Sequence, residues 1–345
     1  MRRSNASERT SRSAWAERAT RSWALALLGA LALACAVPAG ESGDWQSRLG
    51  RDDPRVGRIY DTGARAYVER DELLRRARLV DYVLLGEKHD NPDHHRLQAV
   101  VIQSLAREGS PPTLAFEMLS EDDRPALDQW RATRPEDVEA LGEMLDWKAS
   151  GWPPWEIYRP VFAAAVARQL PIEPANLSRT DLEQLRKSGI AGLVPERKRR
   201  LALEPPLSGG ARESLAQDIR DGHCGMADDD LVNAMIDVQR VRDATLADAL
   251  LRSSVPGVLI AGAGHARKDR AVPLYVARRE PERRVLAVAF VEVGHDSPAE
   301  IAELEAAFDF LWFTPRVDDL DPCDRFREQL EKLHSKTPGV QTPPR

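Results

Sequence analysis

Four residues of this chain pair useful chemistry with suggestive positions. Glu87 and His89 follow the apolar run Tyr82-Val83-Leu84-Leu85, Glu117 follows Thr113-Leu114-Ala115-Phe116, and His265 follows Gly257-Val258-Leu259-Ile260-Ala261. Carboxylates and imidazoles move protons near neutral pH and hold metal ions. The three apolar runs show no polar alternation, so they read as strands buried on both faces, as in a parallel sheet. In an open α/β sheet, ligands bind outside the carboxyl ends of the strands. The spacing therefore predicts that two Glu and two His converge there from three strands. Gly86 and the pair Gly262 and Gly264 suit tight turns where the backbone approaches something closely. Singly, a Glu-x-His after a strand is usually a polar loop. Gly262-Ala263-Gly264-His265 is not a dinucleotide fingerprint, because the third Gly is missing and no apolar helix begins at Arg267-Lys268-Asp269-Arg270. The joint pattern carries the argument.

Other histidines extend the candidate set. His94 and His95 fall in the first turn of a helix that opens at Asn91-Pro92-Asp93 and closes at Gly109. Neighbouring helical residues point about 100° apart, so only one of the two should face the site. The positive helix terminus disfavours protonation and would leave a lone pair for a metal. His223, in His223-Cys224-Gly225, is a loop residue that could serve as a ligand or a pocket wall. His295 and His334 sit in polar surroundings and read as exposed. Trp152-Pro153-Pro154-Trp155 is an unusual aromatic density, although tryptophans are more often core than cofactor wall. Cys224 could pair with Cys323, since an exported chain tolerates disulfides.

The elements that must position these groups form an α/β pattern. Further strand candidates are 171–175, 285–291 and 310–313, and a long helix is expected from about Ala227 to Ser253, with Leu231, Met235, Val238, Val241, Leu246 and Leu250 at roughly helical spacing. Alternating strands and helices predict a central, largely parallel sheet flanked by helices. The stretch from about 120 to 168 lacks a convincing strand and reads as a helical insertion over the sheet. The stretch 189–225, with three Pro and six Gly, reads as irregular.

The N-terminus reads as an export signal over 1–34. An Arg-rich segment precedes the short apolar run Trp23 to Ala34, too short to span a bilayer comfortably. Ala32-Leu33-Ala34-Cys35 resembles a bacterial lipobox, with Ala32 where Leu is usual. Cys35 is then the expected lipidation site, against ordinary cleavage after Ala-x-Ala, and two acyl chains would anchor the chain firmly. Residues 35–55 read as a tether, 56–320 as the folded domain, and 335–345 as a disordered tail. The chain has 345 residues, 42% hydrophobic and 30% charged, enough for a sizeable core. A net charge of −6 argues against a general nucleic-acid binder. Three cysteines without a C-x-x-C give no zinc-ribbon or thioredoxin motif.

The run Leu85-Gly86-Glu87-Lys88-His89-Asp90-Asn91-Pro92-Asp93-His94-His95-Arg96-Leu97-Gln98 resembles the signature of the ChaN-like haem-binding proteins. Phe116-Glu117-Met118, His223-Cys224-Gly225, Gln239 with Arg242-Asp243, Ala261-Gly262-Ala263-Gly264-His265-Ala266-Arg267 and Leu311-Trp312-Phe313-Thr314-Pro315 extend the resemblance over about 55–320. It implies an α/β fold with a helical subdomain, a lipoprotein anchor, and haem bound as a face-to-face pair between two chains in iron acquisition. It also implies kinship with TIKI proteases and erythromycin esterases, which use the same turns for hydrolysis.

Two functions remain open at this level. In the first, a periplasmic, membrane-anchored lipoprotein binds haem with Glu87, His89, His94, His95, Glu117, Tyr158, His223 and His265 as the site, His94, His95, His223 and Tyr158 being candidate axial ligands. A homodimer is a possible assembly, and no nucleic-acid partner is expected. In the second, Glu87, His89, Glu117 and His265 hold a divalent metal ion or activate water, with Glu87 and Glu117 catalytic, in a metal-assisted hydrolase. No Gly-x-Ser-x-Gly is present.

Overall fold

In the computed structural model the described residues are 44–106, 111–253, 255–294, 297–321 and 323–324. The signal segment, Cys35, His295, His334 and the tail 335–345 lie outside them. The described chain runs β1 (Ile59–Asp61), β2 (Ala66–Val68), α1 (Arg70–Ala77), β3 (Tyr82–Glu87), α2 (Pro92–Leu105) and β4 (Thr113–Ser120). It continues with α3 (Arg124–Thr133), α4 (Val138–Met144), α5 (Trp155–Ala167), β5 (Ile172–Asn176), α6 (Arg179–Ser188), α7 (Pro195–Arg200), α8 (Gly209–Gly222) and α9 (Asp229–Arg252). It ends with β6 (Gly257–Gly262), α10 (Ala263–Ala266), α11 (Val272–Arg279), β7 (Val285–Glu292), α12 (Pro298–Ala307) and β8 (Phe310–Thr314).

The strands form one eight-stranded sheet in the order β2-β1-β8-β7-β3-β6-β4-β5. The block from β8 to β5 is parallel, and β1 and β2 close one edge antiparallel. All six strands expected from apolar runs are present. The fold is α/β, with a mostly parallel sheet flanked by helices, as expected. β1 and β2 have three residues each, too short to leave a periodicity in the sequence.

Helices cover both faces, which is why the central strands read as unbroken apolar runs. Leu73 of α1, Leu97 and Ile102 of α2, and Phe162 of α5 pack with Val83, Leu85 and Ile260 on one face. Val241, Leu246 and Leu250 of α9, and Tyr275 of α11, pack with Leu84, Leu259 and Ala287 on the other. The chain thus leaves β3 by α2 on one face and leaves β6 by α10 and α11 on the opposite face. Where neighbouring strands send their connections to opposite faces, a crevice opens at their carboxyl ends. β3 and β6 are such neighbours.

Three expectations change. The stretch 189–225 contains α7 and the 14-residue α8, capped by the Ser208 side chain on Ala211 N. Its Gly209 and Gly210 sit in the first turn, where glycine weakens a helix signal without preventing the helix. Leu231, counted in the apolar stripe of the long helix, is exposed. From residue 44 onward the segment read as tether is packed on the domain. Ser47 is buried, the backbone N–H groups of Gln46 and Ser47 donate to the Asp93 carboxylate, and Leu49 bridges Arg316. Cys224 and Cys323 form a disulfide with Cα atoms 5.5 Å apart, tying the segment after β8 to the α8–α9 turn.

Gly86 is required by packing. A Cβ there would lie 2.9 Å from Ala263 Cα and 3.2 Å from the Val288 carbonyl oxygen. Only a glycine on β3 lets α10, with His265, sit directly on the strand. Gly86→Ala is expected to cost about 1–3 kcal/mol by overpacking. A thermal and denaturant melt of that variant checks it, and an unchanged midpoint would contradict the close contact.

Candidate functional site

Glu87, Glu117 and His265 meet because β3, β6 and β4 are consecutive strands. Gly262, at the end of β6, pairs in register with Glu87, and Ile260 pairs with Phe116, just before Glu117. β6 therefore brings His265 beside Glu117 of its neighbour β4, while Glu87 stands on its other neighbour, β3. The site lies at the carboxyl edge, where the sequence pattern placed it.

Glu87 is fully enclosed and accepts from four donors. The Tyr158 hydroxyl lies at 2.7 Å, Gln98 Nε2 at 2.6 Å, His89 Nδ1 at 3.0 Å and His95 Nδ1 at 3.1 Å. Burial pushes Glu87 up, but the charge of His95 and the hydrogen bonds from His89 and His95 outweigh it and hold the carboxyl well below its ordinary range. The Tyr158 hydroxyl is pushed far above its usual value, by burial first and then by the Glu87 charge, so it stays a neutral donor.

The partners fix which nitrogens carry protons. His95 Nδ1 faces Glu87 Oε2 at 3.1 Å and the Gln98 side-chain oxygen at 3.1 Å, and its Nε2 faces the His89 carbonyl oxygen at 3.0 Å. Every neighbour is an acceptor, so both nitrogens carry hydrogen and His95 is an imidazolium. Burial opposes that charge, but Glu87 and the hydrogen bonds raise it above the ordinary value. The neutral imidazole expected from the helix terminus is therefore overturned at His95. His94 behaves as expected. Its Nδ1 accepts from the Lys88 N–H at 2.9 Å, its Nε2 lies 2.9 Å from the Thr314 hydroxyl, and burial holds it well below its ordinary value. As the 100° argument required, His95 turns to the site carboxylates and His94 turns to β8.

His265 is also held between acceptors. Its Nδ1 is 2.6 Å from Asp243 Oδ1 on α9, and its Nε2 is 3.2 Å from Glu117 Oε1. Burial disfavours the cation, but Glu117 and then Asp243 overcome it and raise His265 to about 10. Glu117 is held at about 2, burial being outweighed by the His265 charge and hydrogen bond, by the His89 charge and by the Gly262 N–H at 2.8 Å. Asp243 moves the other way, raised by burial despite His265.

His89 differs from its neighbours. Its Nδ1 donates to Glu87, and its Nε2 makes no hydrogen bond among the described residues, with Glu117 Oε2 4.0 Å away. Its side chain is 37% exposed, against 0% for His95. The Trp152 ring meets it edge-on with centroids 5.0 Å apart. A carboxylate that fixes one imidazole nitrogen and turns the other outward is the arrangement that prepares a histidine to ligate a metal. Burial lowers the proton affinity of His89, while the Glu87 hydrogen bond and the charges of Glu117 and Glu87 raise it above the ordinary value.

The remaining expected residues fall elsewhere. His223 ends α8, with Nδ1 2.7 Å from the Ile219 carbonyl oxygen. It lies on the turn before α9, about 20 Å along that helix from Asp243 at 1.5 Å per residue. His94, His95 and Tyr158 are fully buried, so none of the three reaches an external ligand without unmaking its hydrogen bonds. Among the described residues no group of three or more His, Cys, Asp or Glu is arranged to hold a metal ion. The carboxylates face imidazoles instead of one shared point. Asp243 and Gln98 belong to the cluster although spacing did not single them out. A clue was available for Asp243, an acid at one-turn intervals from the buried Ile236, Arg240 and Ala247.

A cavity of about 730 Å³ lies along the edge strand β5, and no residue of this cluster lines it. Its arginines face acids: Arg197 meets Asp181, Arg124 meets Glu121 and Glu173, and Arg252 meets Asp248. The chemistry therefore points to the carboxyl edge of the sheet, where the His89 side chain reaches the surface.

The ionised cluster sets a pH dependence. Glu117 sits below its ordinary 4.5, so its contribution is present above that value and is lost as pH falls towards about 2. His265 sits above its ordinary 6.5, so its contribution is complete below 6.5 and is lost as pH rises through about 10. Stability should therefore decline between pH 6.5 and 10, and His265→Asn should flatten that decline. Denaturant midpoints across the range check it, and a wild-type curve flat to pH 10 would contradict the imidazolium.

Comparisons with known proteins agree with this architecture. The solved structure of cofacial haem binding to ChaN of Campylobacter jejuni aligns with a TM-score of 0.61 at 20% identity, covering 74% of this chain and 95% of that one. At that identity the likeness shows the fold. An erythromycin esterase in its open conformation aligns at 16% identity over 70% of this chain and 77% of that one, with a TM-score of 0.34, too loose to carry an argument. No curated relative matches. The family model described as haem-binding uptake, Tiki superfamily, ChaN matches residues 73–276, more than half of the chain, and spans Glu87, Glu117 and His265. The chain belongs to the ChaN haem-binding uptake family of the Tiki superfamily.

Proposed function

We propose that this protein binds haem at the carboxyl edge of its sheet, with His89 Nε2 as the protein ligand to the iron. The observation that carries this reading is the four-donor Glu87 carboxylate, which fixes the His89 tautomer and leaves Nε2 without a hydrogen bond among the described residues. The donor set fits the group. Haem iron needs one or two axial ligands and apolar walls, and His89 supplies a half-exposed imidazole beside Trp152. His95 and His265 are held as cations and contribute orientation and charge. When bound, the haem supplies the iron centre. The chain's own residues hold the imidazole and keep its proton on Nδ1. Membership of a haem-binding family supports the same reading.

The finer role is a proposal as well. Lipidation of Cys35 would hold the domain at a membrane of the bacterial envelope on the periplasmic side, where it would serve haem or iron uptake. The cofacial haem binding of the Campylobacter jejuni protein supports a paired arrangement, in which a second chain covers the open side of the crevice. A metal-assisted hydrolase is the less favoured reading. Glu87 already accepts four hydrogen bonds and Glu117 is taken by His265 and Gly262, so neither is placed as a free base.

Titration of purified protein with hemin tests the function. A saturable Soret shift, with the mass of the complex giving its stoichiometry, is expected, and an unshifted spectrum would refute it. Fractionation of cells carrying Cys35→Ser tests the anchor. The variant should leave the membrane fraction, and retention there would count against lipidation.

A further inference from the structure

We propose that Arg242, backed by Gln239, seats a carboxylate of the bound ligand at the mouth of the crevice and so selects ligands that carry one. This rests on the haem-binding reading, because the propionate carboxylates of haem are the groups it would take.

α9 leads into β6, which belongs to the parallel block, so the helix runs against the strands and its N-terminal half rises beyond their carboxyl ends. Asp243 marks the level of the cluster through its 2.6 Å contact with His265. Gln239 lies one turn above Asp243 on the same face. Arg242 is the immediate neighbour of Asp243, and its Nη1 lies 3.5 Å from the Gln239 side-chain oxygen. The guanidinium therefore folds back along the helix, towards the mouth.

Arg242 is also poorly satisfied. Its Nε is buried without a hydrogen bond, and among the described residues no carboxylate lies within 4.0 Å of its nitrogens. Other arginines share an unbonded Nε, but each has a charged, carbonyl or ring partner: Arg96, whose Nη2 is unbonded too, lies 3.8 Å from the Asp93 carboxylate and 4.9 Å over the Trp45 ring. Arg197 meets Asp181 at 2.5 Å, Arg240 donates to the Leu203 carbonyl at 2.6 Å, and Arg58 lies 3.4 Å over the Tyr67 ring. Among the described residues Arg242 has only the 3.5 Å contact, at the limit of a hydrogen bond.

The nearby acids cannot supply the missing partner. Asp243 is bound to His265, and Glu117 has one oxygen on His265 and the other on Gly262 N–H. A half-buried guanidinium with idle donors, beside acids already engaged, suits an incoming anion. The planar fork of arginine matches a carboxylate with two parallel hydrogen bonds.

The test compares hemin with its dimethyl ester, which keeps the iron and ring and lacks the carboxylates. Wild-type protein, Arg242→Met and Arg242→Lys are titrated with both, following the Soret band, and each variant is melted to show that it folds. Arg242→Met should weaken hemin about tenfold or more, the size of one charge-assisted contact. It should leave the ester's affinity and the Soret maximum unchanged, and Arg242→Lys should recover part of the loss. Wild type that binds hemin and ester equally, or a variant that weakens both alike, overturns the carboxylate seat and leaves haem binding standing. No Soret shift with either compound in wild type overturns the haem reading and this inference together.

Discussion

Glu87→Gln will unfold at a markedly lower temperature than the wild type and will bind hemin more weakly. The four donors around Glu87 converge on two oxygens. Gln keeps one oxygen and adds an N–H2 group that must face some of those donors. It also removes the charge opposite the His95 imidazolium, which is fully buried. Leaving one member of a buried ion pair alone costs about 3–5 kcal/mol. In a domain of this size that corresponds to roughly 10 °C in the melting midpoint. Tyr158→Phe removes one donor and leaves the pair intact, so its cost should stay near 1.5–3 kcal/mol. Differential scanning calorimetry of the two variants checks the order. If Glu87→Gln melts with the wild type, the carboxylate is not the hub of the cluster. The same variant should lose about 10–100-fold in hemin affinity, the usual effect of removing the group that orients a ligating histidine.

His89→Ala is expected to separate binding from stability in the opposite sense. Removing the ring takes one donor from Glu87, so the stability cost should resemble that of Tyr158→Phe, about 1.5–3 kcal/mol, and stay below that of Glu87→Gln. Hemin affinity should fall by at least about a hundredfold, beyond the loss from an orienting residue, and the remaining Soret band should lose its histidine-ligated position. His223→Ala, on the distant α8–α9 turn, should leave both unchanged. Equal hemin binding by wild type and His89→Ala would remove His89 from the iron. A loss confined to His223→Ala would move the site to the far end of α9.

The convergence of Glu87, Glu117 and His265 was legible because three unbroken apolar runs each end in a metal-capable residue. Continuous runs imply a parallel sheet, and a parallel sheet puts its carboxyl ends on one edge. Adjacency was not legible. That β6 lies between β3 and β4 follows from pairings made across more than a hundred residues of chain, which no local pattern records. Asp243 escaped for the same reason, since its partner His265 is 22 residues away and on another element. Gln98 stands in the run from Leu85 to Gln98, but its role needed the position of Glu87.

The protonation states were legible only in part. A helix N-terminus disfavours a histidine cation by roughly 0.3–1 kcal/mol, and this gives the correct direction for His94. At His95 a buried carboxylate at 3.1 Å is the larger effect and reverses the outcome. The α8 helix and the short β1 and β2 went unseen because glycines and a length of three residues leave little periodicity. The packing of residues 44–55 depends on Asp93, an acid inside the same run whose carboxylate faces the backbone of Gln46 and Ser47.

The position of the iron in the hemin complex tests the central claim most directly. A crystal of the loaded protein, measured at the iron absorption edge, should show the anomalous peak within bonding distance of His89 Nε2, with His89 Nδ1 still on Glu87. A peak bonded to any other side chain, with His89 Nε2 left facing solvent, would contradict the account.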